Sequence, residues 1–202
     1  MTGPLLAVVP APVVDLTVGA VAAVVGYAVG SVNPASIVAR VRGTDLRAVG
    51  SGNPGATNAG RAFGWKVGVL VGALDVAKGL LPVIVFDHLG APVAALVAGL
   101  AAVVGHVTSP WLHGRGGKGV ATSLGAILAI QPVWALPVLV VFGIVLGISR
   151  KVGVASVAGA LVLVPAAVQW HERPADVVFA VALALLVVVR HRRNLVDAAS
   201  PR

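Results

Sequence analysis

Residues 43–61 form a glycine-rich segment whose composition suits the binding of an oxyanion. Glycines such as Gly52 let the backbone turn its amide groups toward one point. The side chains that add hydrogen-bond donors around them are those of Ser51, Asn53, Thr57, Asn58 and Arg61. A flexible polar loop between helices is the simpler interpretation, and the density of donors argues against it. The segment therefore predicts an oxyanion site.

A second glycine-rich segment leads into an apolar run that begins at Val120. Here Gly116, Gly117 and Gly119 surround Lys118. A glycine turn at a helix N-terminus presents free amides and the positive end of the helix dipole, to which the lysine adds a point charge. This arrangement again favours phosphate. His106, which precedes the turn, is as consistent with a packed histidine at a helix end as with a catalytic one.

Neither segment completes a nucleotide-binding motif. Gly50, Gly52 and Gly55 fit the fingerprint GxGxxG, but that motif follows a parallel strand, whereas an apolar run typical of a membrane helix precedes it here. Lys118 is followed by Gly119, where a Walker A loop has Ser or Thr to coordinate magnesium. Nucleotide hydrolysis is therefore not expected.

The last apolar run ends in a basic cluster at residues 190–194. Membrane topology and anionic lipid headgroups alone would require such a cluster. His191 and Asn194 stand three positions apart, so they share a helix face and are candidates for the site. Ser156, early in another run, also fits a packing serine bonded to its own backbone. Asp75 and Lys78 share a face too, and we expect them either to pair or to shape the site.

The composition indicates that a membrane must position these residues. Apolar residues make up 58% of the chain and charged residues 11%, against about 25% charged in soluble proteins. There are no cysteines, which excludes disulfides, a thiolate nucleophile and Cys-ligated zinc. The first residues lack the basic start of a secretory signal, so we expect no cleaved peptide. The net charge is +8, and the basic residues lie at the ends of the apolar runs. This distribution favours an anionic lipid or an anionic substrate over nucleic acid as the partner.

We predict an all-α, polytopic transmembrane bundle of about seven short helices in a single domain, residues 1–202. The expected helices are residues 16–39, 65–86, 91–107, 120–130, 133–148, 152–168 and 177–189. Some are too short to span alone, notably the fourth, which we expect to be a half-span packed inside the bundle.

The basic residues predict the orientation of this bundle. Alternating the loops between the two sides assigns thirteen of the 15 Lys and Arg residues to one side. They are Arg40, Arg42, Arg47, Arg61, Lys66, Arg115, Lys118, Arg150, Lys151, Arg190, Arg192, Arg193 and Arg202. The other side receives Arg173, Asp15, Asp87, Glu172 and Asp176. By the positive-inside rule the N-terminus is outside and the C-terminus is cytoplasmic.

These segments together resemble the acyl-phosphate-dependent glycerol-3-phosphate acyltransferases of bacterial membranes. The likeness covers most of the chain, and two of its blocks, residues 50–58 and 116–122, are contiguous. The family's functional positions fall on residues of matching type. They are Ser51, Arg61, Lys118, Ser156, His191 and Asn194. The chain departs from the family at residues 149–153, where Thr-Arg-Tyr-Val-Ser is more common, and it lacks the usual basic residue after Asn194.

The resemblance implies a seven-helix enzyme of the bacterial inner membrane with its active site on the cytoplasmic side. It would move a fatty acyl group from acyl phosphate to the 1-hydroxyl of sn-glycerol 3-phosphate, giving lysophosphatidic acid and phosphate in the first committed step of phospholipid synthesis. The expected partners are these two substrates, membrane lipid and an enzyme that makes acyl phosphate. No metal cluster or cofactor motif is present in the sequence, so we expect activity in EDTA.

A mechanism follows from these residue types. Acyl phosphate is a mixed anhydride with a good leaving group, so binding and charge stabilisation can suffice. We expect Lys118, the adjacent amides and Ser51 to hold acyl phosphate, and Arg61, His191 and Asn194 to orient glycerol 3-phosphate. The hydroxyl proton goes either to His191 or to a substrate phosphate, with Ser156 as a bridge.

Three other interpretations carry less weight. His171 and Asp176 have the His-x4-Asp form of many acyl-CoA-dependent glycerolipid acyltransferases, but the charges place them on the opposite side from the basic loops, as an ordinary polar loop. An organic-phosphate transporter would also use phosphate-binding turns, but no inverted repeat is evident. A lipid-binding structural protein would not need converging glycine-rich donors.

Overall fold

The computed structural model describes residues 11–192, Asn194 and Val196, with side chains from Leu16 onward. Some residues used in the sequence predictions lie outside this part. They are residues 1–10, Arg193, Arg202 and the side chain of Asp15. The described elements are α1 (Ala11–Ser31), α2 (Pro34–Val41), α3 (Ala56–Phe63), α4 (Trp65–His88), α5 (Pro92–Val107), α6 (Val120–Ile130), α7 (Pro132–Ser149), α8 (Val152–Trp170) and α9 (Pro174–Arg190), with a 3₁₀ turn at Pro110–Leu112. The described chain has no strand, and the all-α prediction is confirmed.

All seven predicted apolar runs are helical. In the part of the chain that the structure describes, five stretches are long and apolar enough to cross a membrane: Leu16–Val41, Trp65–His88, Pro92–Leu112, Pro132–Ser149 and Val152–Trp170. Helix α6 has 11 residues, a length of about 16 Å, against a hydrocarbon thickness of about 30 Å. Five of its residues, from Thr122 to Ile127, are buried. The prediction of a packed half-span is therefore confirmed.

The first predicted helix, residues 16–39, is not continuous. It breaks after Ser31, and α2 starts at Pro34 with Asn33 as its N-cap, whose side chain accepts a hydrogen bond from Ser36 N at 2.8 Å. At the break, Lys78 Nζ donates to the carbonyl of Val32 at 2.6 Å. Asn followed by Pro is a helix-start signal, so the break was readable in the sequence.

The first glycine-rich segment is not a loop throughout, because its second half forms α3. Gly64 joins α3 to α4 at φ +94°, a conformation that favours glycine. The two helices approach closely where Gly60 faces Gly68: a Cβ built on Gly68 would lie 2.9 Å from the Gly60 Cα. This contact brings the polar residues of α3 against the start of α4.

Glycines also set the helix contacts deeper in the bundle. A Cβ on Gly30 of α1 would lie 2.0 Å from the Ala102 carbonyl oxygen of α5. A Cβ on Gly125 of α6 would lie equally close, 2.0 Å, to the Val76 carbonyl oxygen of α4. Close backbone packing of this kind replaces the hydrophobic drive that helices lack in lipid.

The loops separate into two ends, as the charge pattern predicts. The turns after α6 and α8 meet where Gln131 Nε2 donates to Glu172 Oε1 at 3.3 Å. Beside them Asp176 pairs with Arg173 at 3.0 Å and accepts the Glu172 and Arg173 amides, so it caps α9. Helix α8 spans 19 residues, about 28 Å, between this end and the basic one. The His171 and Asp176 pair is thus far from the basic loops.

We expect Gly125→Ala to destabilise the protein by about 1–3 kcal/mol, because its methyl group would force α4 and α6 apart. Gly143→Ala in α7 is the matched control, since a Cβ there meets nothing within 4 Å. Thermal unfolding in detergent micelles measures both changes. Equal midpoints for the two variants would contradict the packing argument.

Candidate active site

A cavity of about 780 Å³ opens at the basic end of the bundle and continues between its helices. The sequence-predicted site residues that line it are Ser51, Asn53, Thr57, Asn58, Arg61, His106, Lys118, Gly119, Ser156, His191 and Asn194. Gly52, Gly116 and Gly117 are not among the lining residues. Side chains predicted from three distant parts of the sequence therefore meet in one cavity, with Ser51 and Lys118 at the same end of the bundle.

Lys118 and Asn194 join the second and third predicted clusters. Lys118 Nζ donates a hydrogen bond to Asn194 Oδ1. Gly153, at the start of α8, lies under this pair, since a Cβ built on it would fall 2.9 Å from Asn194 Cγ. The family more often has serine at position 153. The glycine found here lets α8 approach Asn194 closely.

His191 is held in a defined orientation at the end of α9. Its side chain is buried, and Nδ1 lies 2.8 Å from the Val187 carbonyl oxygen. Because a carbonyl only accepts, Nδ1 carries the hydrogen and Nε2 of the neutral ring is left as an acceptor. Burial lowers the pKa of His191, the bond to Val187 opposes this, and the charges of Lys118 and Arg190 lower the pKa further. The ring is therefore neutral at pH 7.

Asn58 organises the first glycine-rich segment and does not point toward a ligand. Its Oδ1 accepts the Ser51 amide at 3.0 Å, and its Nδ2 donates to the Leu46 and Val49 carbonyls at 3.0 and 2.9 Å. The Gly52 amide donates to Val49 O at 3.0 Å. The prediction that these amides turn toward an oxyanion is therefore wrong for Ser51 and Gly52. What this segment offers to a ligand is exposed side chains, those of Ser51, Thr57 and Arg61.

The second glycine turn needs a similar correction. The Gly116 amide donates to Val107 O at 3.0 Å and the Gly117 amide to His106 O at 3.1 Å, so neither amide is directed at the cavity. The anion-binding features that remain are the first-turn amides of α6, which have no intrahelical acceptor, and Lys118 beside them.

Arg190 has a role that the sequence did not reveal. Its Nη2 donates to the carbonyl oxygens of both Gly116 and Gly117 at 3.2 Å. The sequence analysis explained the basic cluster that contains Arg190 by membrane topology and anionic lipid headgroups. Its place in that cluster was the only feature of the sequence that marked this arginine. In the fold it ties the end of α9 to the turn that carries Lys118.

Asp75 and Lys78 pair with each other, and the pair extends to a third residue. Lys78 Nζ lies 2.9 Å from Asp75 Oδ1, which in turn lies 3.5 Å from His106 Nδ1. His106 is buried and its Nε2 packs directly over Gly117, where a Cβ would come within 2.1 Å. Asp75 lines the cavity as well, so both alternatives for this pair hold, and His106 is a packed residue at the cavity wall.

Ser156 fulfils the simple prediction of a backbone-bonded serine, since its Oγ donates to Val152 O at 2.8 Å. It also lines the cavity, and its oxygen keeps lone pairs for a second partner. Arg150 and Lys151, counted only as topology signals, line the cavity too. They add positive charge to the cavity that Arg61 and Lys118 also line.

Away from the charged residues the cavity becomes apolar. Ile127 of α6, Val138, Leu139 and Phe142 of α7, and Leu163 of α8 line this part. A ligand that fills the whole cavity would have an anionic head and a hydrocarbon tail.

We expect the His191 ring to titrate below the ordinary histidine value of 6.5, because burial and the charges of Lys118 and Arg190 lower its pKa by more than the hydrogen bond to Val187 raises it. NMR of histidine-labelled protein in micelles measures the midpoint, and His191→Gln assigns the signal. Lys118→Met should raise the midpoint, since a nearby positive charge is removed. A midpoint at or above 6.5 in the unliganded protein would contradict the burial argument.

Comparison with known proteins identifies the family. A family model described as glycerol-3-phosphate acyltransferase matches residues 20–200. The glycerol-3-phosphate acyltransferase of Anaeromyxobacter sp. (strain Fw109-5) is 44% identical over 188 residues, 90% of this chain and 93% of the relative. The enzyme of the same name from Geobacter sulfurreducens is 41% identical over 174 residues, 85% of this chain and 89% of the relative.

Two crystal structures of PlsY (YgiH), an integral membrane glycerol 3-phosphate acyltransferase, have the same fold. The glycerol 3-phosphate form superposes with a TM-score of 0.85 at 33% identity, and the lysophosphatidic acid form with 0.81 at 32%. Each comparison covers 91% of this chain and 94% of the other. With its multi-pass helical fold and its cavity, the chain therefore belongs to the glycerol-3-phosphate acyltransferase family.

Proposed function

We propose that the protein transfers a fatty acyl group from acyl phosphate to the 1-hydroxyl of sn-glycerol 3-phosphate, giving lysophosphatidic acid and inorganic phosphate. The observation that carries this proposal is one cavity that joins a cationic mouth to an apolar interior. Lys118, Arg61, Arg150 and Lys151 supply positive charge for two phosphate-bearing substrates. The apolar interior suits the fatty chain.

The chemistry needs little activation. The 1-hydroxyl oxygen attacks the acyl carbonyl carbon, an ester bond forms, the bond from that carbon to the phosphate oxygen breaks, and inorganic phosphate leaves. Its negative charge grows as the bond breaks, so fixed positive groups lower the barrier. Lys118 and the first-turn amides of α6 supply this positive charge, and Ser51 lines the same cavity as a further hydrogen-bond donor.

The remaining residues act on the acceptor. Arg61 is exposed at the mouth, where it binds the glycerol 3-phosphate phosphate. The Asn194 amide nitrogen can donate to the acceptor, because the Asn194 oxygen already accepts from Lys118. His191 Nε2 receives the hydroxyl proton, since the ring is neutral with Nδ1 already donating to Val187. Ser156 lines the same cavity and, because its own hydrogen is directed at Val152 O, offers only lone pairs to the substrates.

The location follows from the charges and from the substrates. The basic end carries the cavity mouth, so by the positive-inside rule the mouth faces the cytoplasm, and the resemblance to the family implies that the membrane is the bacterial inner membrane. Glycerol 3-phosphate reaches the mouth from the cytoplasm, and the acyl chain lies between α6, α7 and α8. An enzyme that makes acyl phosphate must supply the donor, and the product begins phospholipid synthesis.

We expect purified protein to release inorganic phosphate when given acyl phosphate and glycerol 3-phosphate, and to remain active in EDTA. Acyl-CoA should not replace the donor, because the site is built for a phosphate leaving group. Phosphate release and mass spectrometry of the lipid product measure the reaction. Equal rates with acyl-CoA would contradict the proposed donor.

We expect Lys118→Met to lower kcat/KM by roughly a hundredfold to a thousandfold, the range found when a preorganised charge-stabilising group is removed. Lys66→Met is the matched control, because Lys66 is exposed beside the Trp65 ring and does not line the cavity. The control should keep wild-type kinetics. Near-normal turnover of the Lys118 variant would show that the assignment is wrong.

A further inference from the structure

Three buried ionisable side chains have no role in the mechanism above. They are Asp75 and Lys78 of α4 and His106 of α5, with exposed fractions of 2%, 6% and 4%. A buried ion pair is often no more stabilising than apolar side chains of the same size, because desolvation offsets the attraction between the charges. Stability alone therefore does not account for these three residues, and their contacts indicate what they do.

One end of this group is attached to the break between α1 and α2. Lys78 Nζ lies 2.9 Å from Asp75 Oδ1 and donates to the Val32 carbonyl at 2.6 Å. Helix α5 touches α1 just before the break, since a Cβ built on Gly105 would lie 2.3 Å from the Tyr27 carbonyl oxygen. Helices α4 and α5 are thus both anchored here.

The other end of the group is in contact with the glycine turn that carries Lys118. His106 Nδ1 lies 3.5 Å from Asp75 Oδ1. Its Nε2 is the atom nearest to the position that a Gly117 Cβ would take, at 2.1 Å. The backbone adds to this contact, because the Gly117 amide donates to the His106 carbonyl at 3.1 Å. A continuous series of contacts therefore runs from the break between α1 and α2 to the residue before Lys118.

The position of this turn decides what the Lys118 ammonium contacts. Its Nζ donates to Asn194 Oδ1, and its positive charge acts on the His191 ring. These two partners lie at the end of α9, whereas Lys118 precedes α6, so only tertiary contacts hold them together. A misplacement of about 1 Å can cost an enzyme about a hundredfold in rate. Arg190 holds the turn from α9, and the buried group holds it from α4 and α5.

We propose that Asp75, Lys78 and His106 are positioning residues that hold the Lys118 ammonium in its catalytic place. They need not touch either substrate, because they act through Gly117 on the lysine. The two charges on α4 balance each other, and their contacts fix the imidazole against the turn. The kinetic consequence rests on the proposed function, whereas the place of the ammonium can be measured without turnover.

His106→Leu tests the proposal directly, because it removes the imidazole and leaves the ion pair of α4 intact. Burial and the charges of Lys118 and Arg190 lower the pKa of His191. A displaced ammonium should therefore let the His191 midpoint rise toward its value in Lys118→Met. NMR titration of histidine-labelled protein in micelles measures this shift.

The same variant has a kinetic readout. Its kcat should fall roughly tenfold to a hundredfold, because the group that stabilises the leaving phosphate is displaced. Its KM for glycerol 3-phosphate should change by less than about twofold, since Arg61 on α3 is outside the buried group.

Thr122→Val is the matched control. Thr122 is also buried, and its Oγ1 has no partner among the described residues, but it neither lines the cavity nor belongs to the group. This variant should keep the wild-type His191 midpoint and the wild-type kcat.

Asp75→Asn combined with Lys78→Met removes both charges, so neither is left buried alone. It should shift the His191 midpoint and kcat in the same directions, and it decides the question if His106→Leu does not fold. The proposal is overturned if a folded variant keeps the wild-type midpoint or the wild-type kcat, or if neither variant folds. If the wild-type protein transfers no acyl group, the proposed function fails, and the His191 midpoints still test the positioning.

Discussion

The backbone contact between α4 and α6 is the constraint on which the rest of the site depends. Gly79 and Gly125 let the two helices touch without side chains between them. Helix α6 is too short to cross a bilayer, so it stays within the bundle only because its neighbours hold it. Its N-terminus, with Lys118 beside it, is thereby fixed inside the cavity. A half-span in the hydrocarbon region is stable only when protein surrounds it.

Two sets of polar contacts hold the surroundings of that half-span. Arg190 holds the Gly116 and Gly117 carbonyls from α9. On the other side, Lys78 joins the Asp75 carboxylate to the Val32 carbonyl at the break between α1 and α2. The lysine thus satisfies a backbone group that the break leaves unbonded, and the carboxylate balances its charge. Buried charges in a membrane bundle are tolerated when they are paired in this way.

The cavity also explains why the reaction is placed in a membrane protein. One substrate is a soluble anion, and the proposed donor has an anionic head on a hydrocarbon tail. A cavity with cations at its mouth and Phe142 and Leu163 farther in accommodates both. The protein thus combines a site for charged groups with a helical bundle that lipid solvates.

Much of this architecture could be predicted from the sequence, because helices and their orientation depend on residues that are close together along the chain. Apolar runs marked the helices, and basic residues at their ends sorted the loops. Glycines beside Lys118 and the spacing of His191 and Asn194 indicated the residues that line the cavity. Only the tertiary structure decided what each polar group bonds to. The Gly116 and Gly117 amides turn to α5, and Arg190 reaches a turn 74 positions away. Ser123 Oγ has no hydrogen-bond partner among the residues that the structure describes. Hydrogen-bond partners depend on which helices are in contact, and the contacts between helices that are distant in the chain cannot be predicted from local sequence patterns.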